Sequence, residues 1–306
     1  MTLALIAGEG RLPTALMAAL DASSTSFLLC ELAGHPAEAR DGRPILRFRI
    51  EKLGSFLKDL RSSGVDRVCF AGRIGRPKLD PSQIDAETMP LVPRMMVALQ
   101  AGDDTALRVV LKFFEEVGIV IVAAQDILPA LMPGESVQGT KAPSEADERD
   151  AERGAEIIAA MGAVDLGQAC IVANGQALAV ETIGGTDWMM RSLLRTPEGA
   201  LTQAPPSSWD DPLGYAADWL TGPVQDQPSR LERDPELPEG GLLIKGAKPD
   251  QDMRVDVPTI GPQTFLRAAE VGLRGVVVKA REVLILDQAT CVEIADRQNL
   301  LFWVRS

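Results

Sequence analysis

Between Leu3 and Ala123, short apolar runs alternate with stretches whose apolar residues recur every three to four positions. Leu3 to Ala7, Ser26 to Glu31, Ile45 to Ile50, Val65 to Ala71 and Ile119 to Ala123 read as strands. Leu12 to Leu20 reads as a helix after a glycine turn. Leu53, Phe56, Leu57 and Leu60 lie at helical spacing. So do Leu107, Val110, Leu111 and Phe114, in a helix ended by Gly118. Strands joined by helices predict a mainly parallel, Rossmann-like sheet covered by helices, because a parallel pair needs a long crossover.

The pattern changes after residue 132. Residues 133–145 carry Pro, Gly and Ser and read as a linker. Glu148 to Met161 has helical spacing. Cys170 to Val180 reads as a hairpin, with Asn174-Gly175 supplying a type I′ turn. Leu242 to Ile244, Gly275 to Val278, Val283 to Leu286 and Leu300 to Val304 read as strands, and Phe265 to Val271 and Cys291 to Gln298 as helices. The expectation is two α/β domains, 1–132 and 146–306. The second has a mixed sheet with hairpins and an insertion at 204–240. That insertion holds Trp209, Tyr215 and Trp219 among Pro and Asp, and its acidic residues disfavour direct insertion into an anionic membrane.

Composition narrows the chemistry. The formal charge of −12 argues against nucleic acid and against adsorption to an anionic leaflet, so a lipid would have to be held by apolar burial. No apolar run reaches membrane-spanning length. Cys30, Cys69, Cys170 and Cys291 are far apart, each in or beside an apolar stretch, and read as buried free thiols in a reducing cytosol. His35 is the only histidine. A triad is thereby disfavoured, its turn-like setting points to the surface, and acid–base or metal chemistry falls to Asp, Glu and Lys.

Five stretches could carry that chemistry. Gly8-Glu9-Gly10-Arg11-Leu12-Pro13 follows a strand and opens a helix, where Gly10, Arg11 and Leu12 could approach an anion; a plain tight turn is the equal alternative. Pro13 replaces the third glycine of a dinucleotide fingerprint, which speaks against an oxidoreductase. Arg73 and Arg76 follow another strand and could clamp phosphates, or be simply solvated. Gly102-Asp103-Asp104 could ligate a cation, but its spacing favours a helix cap. Gly184-Gly185-Thr186-Asp187 opens a helical pattern and could cap it, or face a sugar or phosphate. The densest polar stretch is Lys245 to Gly261, with Lys245, Lys248, Asp250, Asp252, Arg254 and Asp256. Its lysines could neutralise phosphates, and an aspartate could bind a metal or orient water.

Together these stretches resemble the LpxI family of UDP-2,3-diacylglucosamine pyrophosphatases. They appear in the family's order, along with Gly167-Gln168-Ala169 and the Asn174-Gly175 hairpin. The most specific part is Lys248-Pro249-x-Gln251-Asp252-x-Arg254-x-Asp256-x-Pro258-Thr259-Ile260-Gly261. The 204–240 segment is longer than the family pattern suggests. The resemblance implies a cytoplasmic homodimer that binds UDP-linked diacylated glucosamine and requires Mg²⁺ or Mn²⁺, with peripheral contact to the inner membrane left open. It implies Asp256 as the catalytic aspartate, beside Lys248 and Lys245. It also implies Asp256 and Asp252 as metal ligands, and substrate contacts from Gly10, Arg11, Leu12, Arg73, Arg76, Asp104, Thr186, Asp187, Gln251 and Thr259. A non-catalytic UDP-sugar or lipid-binding protein on the same fold is the alternative.

Overall fold

A computed structural model describes residues 2–37, 42–75, 79–101, 103–195, 231–249 and 251–306, without the side chains of 99–101 and 103–105. The first half contains β1 (Thr2–Ala7), α1 (Leu12–Ala22), β2 (Phe27–Leu32), β3 (Ile45–Phe48), α2 (Leu53–Ser62), β4 (Val65–Ala71), α3 (Val92–Ala101), α4 (Asp103–Glu116), β5 (Val120–Ile121) and α5 (Ala124–Ile127). The strands form a parallel sheet in the order β3-β2-β1-β4-β5. Both faces of β1 are buried. Ala4 and Ile6 join a core with Phe56, Leu60 and Phe114, while Leu3, Leu5 and Ala7 join one with Leu16, Met17 and Leu20. This explains the unbroken apolar run in β1.

Two elements differ from the sequence reading. The run Ile119 to Ala123 pairs with β4 only at Val120 and Ile121, because it is an edge strand with Val120 61% exposed, and the chain turns at once into α5. Residues 92–101, unassigned from sequence, form α3, with Pro93 in the first turn, where a missing N–H costs nothing.

The second half contains β6 (Ser136–Val137), α6 (Glu145–Ala163), β7 (Ala169–Ala173), β8 (Gln176–Val180), α7 (Gly185–Arg191), β9 (Leu194–Arg195), β10 (Glu232–Arg233), β11 (Leu242–Lys245), β12 (Thr259–Ile260), α8 (Pro262–Glu270), β13 (Gly275–Lys279), β14 (Leu284–Ile285), α9 (Gln288–Arg297) and β15 (Leu301–Arg305). Its main sheet is mixed, in the order β6-β15-β13-β11-β7-β8. α6 covers one face through Ala151 and Ile158, and α7, α8 and α9 cover the other through Met190, Phe265 and Ala295. The hairpin forms as expected, with Asn174 and Gly175 both at positive φ. The run Val283 to Leu286 lies outside the main sheet, since Leu284 and Ile285 pair with Thr259 and Ile260 instead.

The stretch 133–145, expected as a linker, carries β6 along the edge of β15. Gln138 N donates to Phe302 O at 2.8 Å, and Lys141 Nζ to Asn299 O at 2.8 Å. Of the 204–240 insertion, residues 204–230, with Trp209, Tyr215 and Trp219, lie outside the described residues. Residues 231–240 are tied down by Arg233, which donates to the carbonyls of Val271 and Gly240.

The two halves meet along the loop that follows β11. Val255 packs against the Phe56–Phe114 core of the first half. Val257, Leu284 and Leu286 pack against the Leu3–Leu16 core. Gln125 Nε2, on α5, donates to Met253 O at 2.8 Å. The loop is therefore anchored by burial at the C-terminal end of its charged stretch.

Candidate functional site

Lys245 is the last residue of β11, flanked by β7 and β13, and only 6% exposed. Its Nζ donates to Thr186 Oγ1 at 2.8 Å, in the first turn of α7. Thr186 Oγ1 donates in turn to Glu181 Oε1 at 2.6 Å, and Glu181 Oε2 accepts from Gln168 N at 3.1 Å. Glu181 is itself buried, just past the end of β8. Loss of hydration pushes the Lys245 ammonium below its usual range, opposed by the negative charges of Glu181, Asp187 and Asp256.

Beyond Lys245 the chain folds back over this group. Lys248 N donates to Gln251 Oε1 at 2.9 Å. Gln251 Nε2 donates to Gln168 Oε1 at 2.9 Å and to Asp256 Oδ2 at 2.8 Å. Lys248 Nζ pairs with Asp165. Thr259 lies in β12, its hydroxyl turned onto Val257 O at 3.0 Å. Lys245, Lys248 and Gln251 line a cleft of about 580 Å³, whose apolar wall includes Ala155 and Ile158 of α6 and Val277 of β13.

The loops of the first half are built differently. Those after β1 and β4 pair with each other: Glu9 N donates to Arg73 O and Arg73 N to Glu9 O, both at 2.9 Å. Those two amides are committed to each other rather than to an anion. The start of α1 has no side-chain cap at Arg11, so its first N–H groups remain a dipole-favoured anion position beside Gly10 and Leu12. Arg11 pairs with Asp287 at 3.2 Å and Arg73 is exposed. Arg76 and the Asp104 side chain lie outside the described residues. His35, expected at the surface, is half-buried against Gly75, with a buried Nδ1 that has no hydrogen-bond partner among the described residues.

The expected cation ligands divide. Both carboxylate oxygens of Asp252 are taken by Arg254, at 2.9 and 2.7 Å, and Arg254 also reaches Glu115. Those hydrogen bonds hold the Asp252 carboxyl below its usual range. Asp252 therefore serves an ion pair that ties the loop to α4. Among the described residues no group of three or more His, Cys, Asp or Glu side chains could cage a metal. Mg²⁺ does not require such a cage, since it is commonly held by one or two carboxylates together with substrate phosphates. Asp256, held on one oxygen by Gln251, fits that donor set.

Sequence reasoning missed Glu181 and left Gln168 without a role. A carboxylate closing an apolar hairpin strand reads as solvated. Only the fold lays α7 over it and brings Lys245 alongside.

Comparison with known proteins covers nearly the whole chain. The model of the LpxI N-terminal domain matches residues 2–131, and that of the LpxI C-terminal domain matches residues 134–206 and 228–303. A protein of Caulobacter vibrioides named UDP-2,3-diacylglucosamine pyrophosphatase LpxI is 32% identical over 298 residues, which is 97% of this chain and 95% of that protein.

Proposed function

The chain belongs to the LpxI family, and from that premise we propose that it hydrolyses the pyrophosphate of UDP-2,3-diacylglucosamine to 2,3-diacylglucosamine 1-phosphate (lipid X) and UMP, in lipid A biosynthesis. What supports this reading at the level of residues is that Lys245, Lys248 and Gln251 line the cleft, with Asp256 held beside them by Gln251. A diphosphate brings negative charge that needs cationic donors, and hydrolysis needs a carboxylate near the attacking water.

In the proposed reaction, water forms a bond to the β-phosphorus. The bond from that phosphorus to the bridging oxygen breaks, and its electron pair leaves with UMP. Gln251 aims the Asp256 carboxylate, which acts on the water as a base or serves as a metal ligand; both roles require the charged form. Lys245 and Lys248 stabilise charge on the phosphoryl oxygens. An Mg²⁺ or Mn²⁺ ion bound by Asp256 and the diphosphate would supply further neutralisation. Family membership also underlies a proposed homodimer and a cytoplasmic location with peripheral contact to the inner membrane. Among the described residues, no helix is long and apolar enough to cross a membrane.

The test is UMP release from UDP-2,3-diacylglucosamine with Mg²⁺, with Mn²⁺ and with chelator. Turnover is expected with either metal and loss with chelator. Run in ¹⁸O-water, the reaction should place the label in the sugar 1-phosphate. Tight binding without UMP release would replace the enzyme by a binding protein.

A further inference from the structure

Lys245 and Asp256 stand at the two ends of a path of hydrogen-bonded residues, which at Gln168 passes from the backbone N–H to the side chain. It runs Lys245–Thr186–Glu181–Gln168–Gln251–Asp256. An ammonium can only donate and a carboxylate can only accept, so a hydroxyl between them has one orientation. Thr186 accepts from Lys245 and gives its proton to Glu181. The Gln251 amide is locked as well, because its oxygen accepts from Lys248 N and its nitrogen donates to Gln168 and Asp256. Gln168 joins the branches. Its N–H holds Glu181, its side-chain oxygen accepts from Gln251, and its carbonyl accepts from Gly246 N, the residue after Lys245. Gly167 makes the close approach feasible, since a Cβ there would collide with the backbone carbonyl of Glu181.

We propose that Glu181 and Gln168 are positioning residues of the hydrolytic site: Glu181 sets the direction of Lys245 through Thr186, and Gln168 sets that of Asp256 through Gln251. This rests on the reading above, in which Lys245 and Asp256 serve the diphosphate. It also moves Thr186 from the substrate contacts to the scaffold of Lys245. Lys245 donates one of its three ammonium protons to Thr186. A preorganised donor of this kind counts in the transition state, where phosphoryl charge develops, more than in substrate binding.

The experiment compares Thr186→Val, Thr186→Ser, Glu181→Gln and Gln168→Met with the wild-type enzyme, with Lys245→Met and Asp256→Asn as reference variants and melting temperature as the fold control. Thr186→Val, Glu181→Gln and Gln168→Met, which removes the oxygen that accepts from Gln251, should each lower kcat at least ~10-fold while KM stays within about threefold. Thr186→Ser should restore kcat to within about threefold of wild type. The double variant Thr186→Val/Glu181→Gln should be no worse than the poorer single variant, because both act through one path. An unchanged kcat, a change confined to KM, or additive losses, with Lys245→Met and Asp256→Asn inactive, would overturn the positioning roles. Activity retained by Lys245→Met and Asp256→Asn would instead overturn the underlying site assignment. If Thr186→Val does not fold, the shape-conserving Glu181→Gln variant decides the question by the same kcat and KM criterion.

Discussion

At the scale of single residues, burial and charge make opposite demands on Lys245. The folded protein pays for its dehydration, and carboxylates nearby offset part of the cost. Its proton is therefore held less tightly in the folded than in the unfolded chain. Between that lowered value and the ordinary 10.5, the unfolded chain binds more protons, so stability from this group rises with pH and is lost as pH falls. Unfolding free energies of wild type and Lys245→Met, measured across alkaline pH, should diverge in slope with that sign; parallel curves would refute it. Asp256 is more exposed, and the role proposed for it is chemical. Asp256→Asn should keep the melting temperature and lower turnover by at least ~10²-fold, the scale of a lost acid–base or metal group. Near-normal turnover would remove Asp256 from the mechanism. The four thiols need no partner. Burial pushes each of them up to about 12, which leaves almost no thiolate at neutral pH. Cys30, Cys69, Cys170 and Cys291 should resist a thiol reagent in the native protein and react in denaturant.

At the scale of elements, the loops after β1 and β4 act as one unit. Gly72 has φ of +86°, and a Cβ there would come within 2.6 Å of the Glu9 carbonyl oxygen. Gly72→Ala should cost about 1–3 kcal/mol, from left-handed strain plus the steric clash. Because the pairing with Glu9 sets where Gly10 and the open start of α1 lie, KM should rise more than kcat falls. Urea melts and steady-state kinetics check the two parts separately. A fully stable variant with unchanged KM would show that the pairing is dispensable.

At the scale of the whole molecule, the loop after β11 ties the chemistry to the contact between the two halves. Val255 and Val257 pack against cores of the first half, while Lys245 belongs to the main sheet of the second and Gln168 immediately precedes its strand β7. The site can form only when both halves are in place. The family model matches the chain on both sides of residues 207–227 but not across them. Replacing 207–227 with a short Gly/Ser bridge should preserve turnover within about fivefold, with any loss appearing in KM for the diacyl substrate. A stable deletion variant without detectable turnover would mean that the segment supplies a catalytic group.

Alternation of apolar strands with 3.6-period helices was enough, by itself, to predict a parallel sheet followed by a mixed one. Asn174-Gly175 was enough for the hairpin turn, and the spaced polar residues of 248–261 for the family. These are local signals: periodicity, φ preference and residue order survive without knowledge of the fold. The partners of those residues are not local. Asp252 and Asp256 look equivalent in sequence, yet one is spent on Arg254 while the other faces Gln251. Val283 to Leu286 has the pattern of a main-sheet strand, but β12 captured it. Glu181 carries no mark of importance until α7 and β11 close over it. Such choices depend on which groups share a buried volume, where an unpaired charge is costly, and only the tertiary structure decides that.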